Sequence, residues 1–172
     1  MSKTSLGFIP LRKNSKGILG KNKKKLLGRP LFSWVLTEAI FSNLDVVYVF
    51  TDDTEIITYV QENFKWTDKV IALERSKENA EDTSSTEDAI LEFSKRINHN
   101  YTSFCLLQAT SPFTTRSDIN RALEKNSQPN IDAVLSVVKT HRFIWSKEGK
   151  SLNYDYTKRP RRQDFDGLLI EN

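Results

Sequence analysis

Val46-Val-Tyr-Val-Phe-Thr-Asp-Asp-Thr54 decides the fold. The five residues 46–50 carry no polar interruption, which marks a strand buried on both faces rather than one with a wet side. The run breaks at Thr51-Asp52-Asp53-Thr54, a helix-entry signal that opens a helix over 55–64. Working outward, Leu6-Gly-Phe-Ile-Pro-Leu11 reads as an earlier strand, with Pro10 near its end where a lost pairing matters least. Between them Leu31, Trp34, Val35, Ala39 and Ile40 recur at helical spacing, and Pro30 suits a first helical turn. Downstream, a strand is expected at 69–73, a helix from Ser85 to about 97, a strand at 104–107, a helix over 118–125 and a fifth strand at 133–138. Such alternation requires crossover connections and predicts an α/β fold, a Rossmann-like three-layer α/β/α sandwich around a mainly parallel sheet. Ligands of such sheets bind beyond the carboxyl ends of the strands. Residues 1–139 therefore read as one α/β domain. Past Lys139 the pattern fails, and 140–172 reads as an extended, aromatic and basic arm.

Composition bounds the function. The 172 residues are 38% hydrophobic and 28% charged, an ordinary globular balance. No apolar run approaches the roughly 18 residues of a membrane span, and the N-terminus lacks a signal-peptide pattern, so no membrane role and a cytoplasmic location are expected. The single cysteine, Cys105, fits a reducing compartment and reads as a small core residue. The net charge is only +4, but no acidic residue precedes Glu38, while nine Lys and Arg residues do. A second basic knot is Lys158-Arg-Pro-Arg-Arg162. An anionic partner follows for at least one cluster.

Five loops could carry chemistry. Arg12-Lys-Asn-Ser-Lys-Gly-Ile-Leu-Gly-Lys-Asn22 follows the first strand and gathers cationic and amide donors around Gly17 and Gly20, a phosphate-binding composition or a solvated basic loop. It is neither a Walker A loop nor a G-x-G-x-x-G turn. Thr51-Asp52-Asp53 offers carboxylates for a metal or ribose, or a helix cap. The stretch from Arg75 to Thr86 ends in four hydroxyl residues that suit a nucleotide or a capping box of Ser84 or Ser85 with Glu87 or Asp88. Gln108-Ala-Thr-Ser-Pro-Phe113 sets a polar amide at a strand end. The knot at 158–162 offers guanidinium forks for carboxylate or phosphate, or a solvated, nuclear-import-like patch. His99 and His141 are isolated and suggest neither a metal nor a triad.

Taken jointly, the chain resembles the acylneuraminate cytidylyltransferase (CMP-sialic acid synthetase) family. Residues 9–22 match that family's A-R-x-x-S-K-G-x-x-x-K-N loop. The likeness continues through Phe50-Thr-Asp52, Asp82-Thr-Ser-Ser, Leu107-Gln-Ala-Thr-Ser-Pro112 and Ser136-Val-Val138 to Lys158-Arg-Pro-Arg-Arg-Gln-Asp-Phe-Asp-Gly167. It implies a fold of the nucleotide-diphospho-sugar transferase type and transfer of CMP from CTP to the anomeric hydroxyl of a sialic-type acid, releasing pyrophosphate with Mg²⁺. It assigns Arg12, Lys16, Lys21 and Asn22 to the triphosphate and nucleotide, and Arg75, Ser84 and Thr86 to the cytidine. Gln108 would meet the sugar acid, and Arg159 would be the catalytic or acid-binding arginine. The arm 140–172 would build a homodimer and reach the partner's site. Leu11 and Thr86 depart from the family's usual Ala and Ser. The family's metal-binding Asp-x-Asp pair has no counterpart up to Asn172, where the family's core continues, so no metal ligand is expected within these residues. Alternatives are a cytidylyltransferase for 3-deoxy-manno-octulosonate or pseudaminic acid, a CTP-binding fragment without turnover, and a nucleic-acid-binding module. The last is disfavoured because basic and aromatic residues do not interleave near Arg12. A nuclear location is the alternative to a cytoplasmic one for an animal protein.

Overall fold

The computed structural model describes residues 4–14, 17–81 and 83–171. The chain divides into two compact units, Met1–Asp132 and Ala133–Asn172. The first is built on strands β1 (Ser5–Leu11), β4 (Val46–Thr51), β5 (Val70–Glu74) and β6 (Ser103–Leu106). They form a parallel sheet in the order β5-β4-β1-β6. A short antiparallel hairpin, β2 (Lys25–Leu26) with β3 (Arg29–Pro30), precedes helix α1 (Leu31–Ile40). Helices α2 (Thr54–Asn63), α3 (Thr86–Arg96) and α4 (Arg116–Asn126) complete the unit.

Strand periodicity sorts the core into two faces. From β1, Ile9 and Leu11 join β4 residues Val47 and Val49 against Phe32, Val35, Leu36 and Ala39 of α1, Ile56 and Val60 of α2, and Ile119 of α4. Leu6 and Phe8 of β1 and Phe50 of β4 face the other way, onto Ala89 and Phe93 of α3. The two-sided burial of β4 is thus why its sequence shows no alternation. Phe8 is fully buried and its ring centroid lies 4.6 Å from that of Phe93. Gly7 sits where a Cβ would come within 2.9 Å of Leu44 Cδ1, so the α1–β4 connection packs closely on β1.

The chain builds outward from β1 through β4 to β5, then returns through α3 to place β6 on the other side of β1. This reversal puts α3 on the opposite face from α1 and α2, and it opens a crevice where the carboxyl ends of β1 and β6 diverge. The helix starts follow local chemistry. Asp53 caps α2 by accepting from the Glu55 amide, and reciprocal capping boxes, Ser85 with Asp88 and Thr115 with Asp118, open α3 and α4.

The expected fifth strand does not extend this sheet. In the second unit, β7 (Val137–Thr140) pairs antiparallel with β8 (Leu168–Glu171) in a separate two-stranded ribbon. An apolar run specifies a strand but not its partner, and here the complementary edge comes from thirty residues downstream in the arm. Phe143, Tyr154 and Phe165 pack together nearby in the same unit, with centroids 4.4 and 5.2 Å from Phe143.

Candidate functional site

A cleft of about 430 Å³ lies at the carboxyl edge of the parallel sheet. It is lined by Pro10, Arg12, Gly17, Lys21 and Asn22 after β1, by Arg75 after β5, by Ser84, Ser85 and Thr86 at the start of α3, and by Gln108, Ala109 and Thr110 after β6. Topology explains the gathering, since all these segments leave the same edge of a parallel sheet.

The loop after β1 is held by its own polar groups. Gly20 adopts a left-handed conformation (φ 63°) that turns the chain into a 3-10 turn, Lys21–Lys23. Asn22 is nearly buried and donates from Nδ2 to the Arg12 carbonyl at 3.2 Å, tying the two ends of the loop. Arg12 also donates from Nη1 to the Glu81 carbonyl at 3.4 Å, spanning to the segment before α3.

Arg75 is 6% exposed, and its backbone amide extends the β4 pairing by donating to the Thr51 carbonyl. One guanidinium nitrogen donates to the Asn79 carbonyl, but the buried Nε has no hydrogen-bond partner among the described residues. Burial pushes the guanidinium pKa below its ordinary value, opposed by the negative charges of Asp52 and Glu92. A cation in this position is costly alone and improves when an anion reaches it.

The turn beneath Arg75 is organised by Glu92 of α3. Its carboxylate accepts from the Ser76 amide (3.0 Å), Ser76 Oγ (2.9 Å) and Asn79 Nδ2 (2.6 Å), and pairs with Arg96. Burial opposes ionisation of Glu92, but the hydrogen bonds from Asn79 and Ser76, with the charge of Arg96, bring its pKa below the usual carboxylate range. At the cleft edge, Ser84 Oγ donates to the Glu78 carbonyl at 3.1 Å, and Ser85 closes the capping box. The start of α3 adds the positive end of an eleven-residue helix dipole.

Among the described residues, the lining includes three cations, Arg12, Lys21 and Arg75, and no carboxylate. With amide and hydroxyl donors between them, they form a site for a polyanion carrying a hydrogen-bonding ring. No group of three or more His, Cys, Asp or Glu side chains suited to a metal occurs among the described residues. Cys105 is no rival nucleophile, because burial raises its pKa to about 11.

Of the residues singled out from sequence, Arg12, Lys21, Asn22, Arg75, Ser84, Thr86 and Gln108 share this one cleft. Lys16 lies outside the described residues. Arg159 belongs to the second unit, where it follows the 3-10 turn Tyr156–Lys158 and its guanidinium sits 4.6 Å over the Phe143 ring. Asp53 is used as a cap, and Asp52 accepts from the Lys13 amide at 2.8 Å. Sequence reasoning did not assign Pro10, Gly17, Ser85, Ala109 or Thr110 to the site, although each lies within two positions of a residue that it did assign. Nor did it find Glu92, whose place in a helix stripe gives no sign of its partners.

The family profile for "Cytidylyltransferase" matches residues 6–169. The chain belongs to the cytidylyltransferase family. Among curated members, it is 41% identical to N-acylneuraminate cytidylyltransferase B of Danio rerio and 41% identical to N-acylneuraminate cytidylyltransferase of Oncorhynchus mykiss. Each alignment covers 96% of this chain but 39% of the relative, so the chain spans well under half the length of these cytidylyltransferases. Among solved structures, a CMP:2-keto-3-deoxy-manno-octonic acid synthetase complexed with CTP superposes with a TM-score of 0.64 at 20% identity. That superposition covers 99% of this chain and 72% of the other. At that identity the likeness establishes the shared α/β nucleotidyltransferase fold.

Proposed function

We propose that this chain provides the CTP-binding cleft of a cytidylyltransferase that moves CMP from CTP to the anomeric hydroxyl of a sialic-type acid. The observation that carries the reading is Arg75, nine-tenths buried with an Nε that has no hydrogen-bond partner among the described residues, set with Arg12 and Lys21 in a cleft whose described lining holds no carboxylate. Family membership and the names of the fish relatives supply the nucleotide and the acceptor class.

The chemistry follows from the donors. Attack of the anomeric hydroxyl oxygen on the α-phosphorus forms the new P–O bond, breaks the α-phosphorus bond to the bridging oxygen and releases pyrophosphate, while the hydroxyl proton passes to solvent. Negative charge builds on the phosphoryl oxygens and the departing group, and fixed cations stabilise it there more than in the ground state. Arg12, Lys21 and Asn22, with Lys16, hold the phosphates and nucleotide. Arg75, Ser84 and Thr86 take the cytidine, and Gln108 meets the sugar acid. Catalysis is then largely positioning and charge stabilisation.

Arg159 is proposed to meet the acid's carboxylate, and residues 140–172 to form a homodimer interface. Exposed Val138, Leu169 and Ile170 on the ribbon support an interface role, since such apolar groups gain by burial. The family resemblance also implies Mg²⁺. The described cleft residues do not fit a metal-binding set, because none is a carboxylate, and no step here runs through one. No described helix is long and apolar enough to cross a membrane. A cytoplasmic location is proposed, to which the single cysteine is suited.

The test combines calorimetric titration with CTP, GTP and UTP and a pyrophosphate-release assay offering N-acetylneuraminate, 3-deoxy-manno-octulosonate or pseudaminic acid. Selective CTP binding with release only on N-acetylneuraminate supports the reading. Release with another acid alone refutes the acceptor, binding without release selects a nucleotide-binding fragment, and absence of CTP binding refutes the whole.

A further inference from the structure

Lys21 and Asn22 line the cleft, but Lys23, the next residue of the same turn, reaches the N-terminus of α2 instead. Its Nζ lies 2.9 Å from Asp53 Oδ2 and 2.9 Å from Glu55 Oε2. Asp53 is 1% exposed and uses both oxygens, Oδ1 accepting from the Glu55 amide as the helix cap and Oδ2 facing Lys23. A carboxylate so buried needs a counter-charge, and Lys23 supplies it. Hydrogen bonds to Glu55 and then Asp53 raise the Lys23 pKa, so its ammonium stays charged through neutral pH. The preceding residue, Asp52, accepts from the Lys13 amide at 2.8 Å. Two successive carboxylates at the end of β4 therefore pin the loop after β1 near its beginning and at its end. A loop fastened in this way has less conformational freedom to lose when a ligand arrives.

We propose that the Lys23–Asp53 ion pair, with Asp52 holding the Lys13 amide, is a positioning device that presents Lys21 and Asn22 to the nucleotide's phosphates. The assignment rests on the CTP reading above. Neither residue of the pair lines the cleft, so each acts through Lys21 and Asn22.

The experiment is calorimetric titration of the full chain with CTP and with CMP, using the parent, Lys23→Met, Lys23→Arg, Asp53→Asn, the double variant Lys23→Met/Asp53→Asn, and Lys21→Ala. Melting curves accompany each. Lys23→Met and Asp53→Asn should each weaken CTP binding about fivefold to tenfold and CMP binding by less than about twofold, since CMP lacks two of the phosphates that Lys21 and Asn22 are proposed to hold. Lys23→Arg should restore CTP affinity to within about twofold, and the double variant should be no weaker than either single change. If Lys23→Met fails to melt cooperatively, Asp53→Asn decides, because its amide oxygen still caps α2. The proposal is overturned if Lys21→Ala weakens CTP binding while both pair variants bind like the parent, or if CTP and CMP lose affinity equally. Should the parent chain fail to bind CTP, the nucleotide reading fails first; should Lys21→Ala bind CTP like the parent, the positioning role falls while the nucleotide reading stands.

Discussion

Replacing Arg75 with methionine should separate binding from stability. Arg75 is 6% exposed, and among the described residues its Nε has no hydrogen-bond partner and the cleft lining has no carboxylate. Methionine keeps an unbranched apolar stem in the space and removes the charge. Loss of the bond to the Asn79 carbonyl and relief of the cation's desolvation oppose one another, so ligand-free stability should stay within about 1 kcal/mol of the parent. Nucleotide affinity should respond far more. A hydrogen bond in which one partner is charged, as from the Arg75 guanidinium to the cytidine, contributes about 1.5–3 kcal/mol, which corresponds to about 10- to 150-fold in Kd. Urea denaturation of the ligand-free chain and calorimetric CTP titration measure the two quantities. A variant that binds CTP within about twofold of the parent would refute the assignment. So would a large fall in ligand-free stability, which would make Arg75 a structural group rather than a binding one.

Three further outcomes follow from the geometry. Phe93→Ala empties the centre of the α3 face, where Phe93 contacts Phe8, Phe50 and Tyr48 rings, and should cost about 3–5 kcal/mol in denaturant unfolding. Stability should fall on acidification. Ser5 lowers the Asp45 pKa by backbone and then side-chain hydrogen bonds, Ser85 does the same to Asp88, and Thr115 hydrogen bonds lower that of Asp118. Their folded values lie below the unfolded ones, so their contribution is complete above the ordinary Asp value near 4 and is lost as pH falls through the depressed values, which melting curves from about pH 5 to 2 would show. Arg159→Ala should raise the KM for the sugar acid while leaving CTP affinity unchanged in steady-state and titration measurements; a loss of CTP affinity would reassign the residue.

Much of the sheet was legible because burial on both faces leaves a plain mark. The apolar run 46–50 has nowhere polar to turn, and the capping residues Asp53 and Ser85 bracket the helices by their own hydrogen-bonding chemistry. The run 133–138 read equally well as a strand, but the strand forms over Val137–Thr140 and its partner lies in the arm, because side-chain pattern specifies a face and not a neighbour. The loops carrying Arg12, Arg75 and Gln108 were findable because strand ends in a parallel sheet share an edge. What holds those loops was not. Lys23 meets Glu55 across 32 positions, and Glu92 meets Ser76 across 16, so each pairing exists only once the chain is folded. A single sequence shows the charges without saying which cancel.

The strand order β5-β4-β1-β6 also has a bearing on the order of events during synthesis. Part of the cleft lining follows β1, part follows β5 and opens α3, and part follows β6, the last of the four described strands to join this sheet. Until Ser103–Leu106 has emerged and docked beside β1, Arg12 and Lys21 stand at an open edge with no Gln108 across from them. A nascent chain stopped before that point would carry the basic loop exposed, and nucleotide capture would report that β6 has docked beside β1.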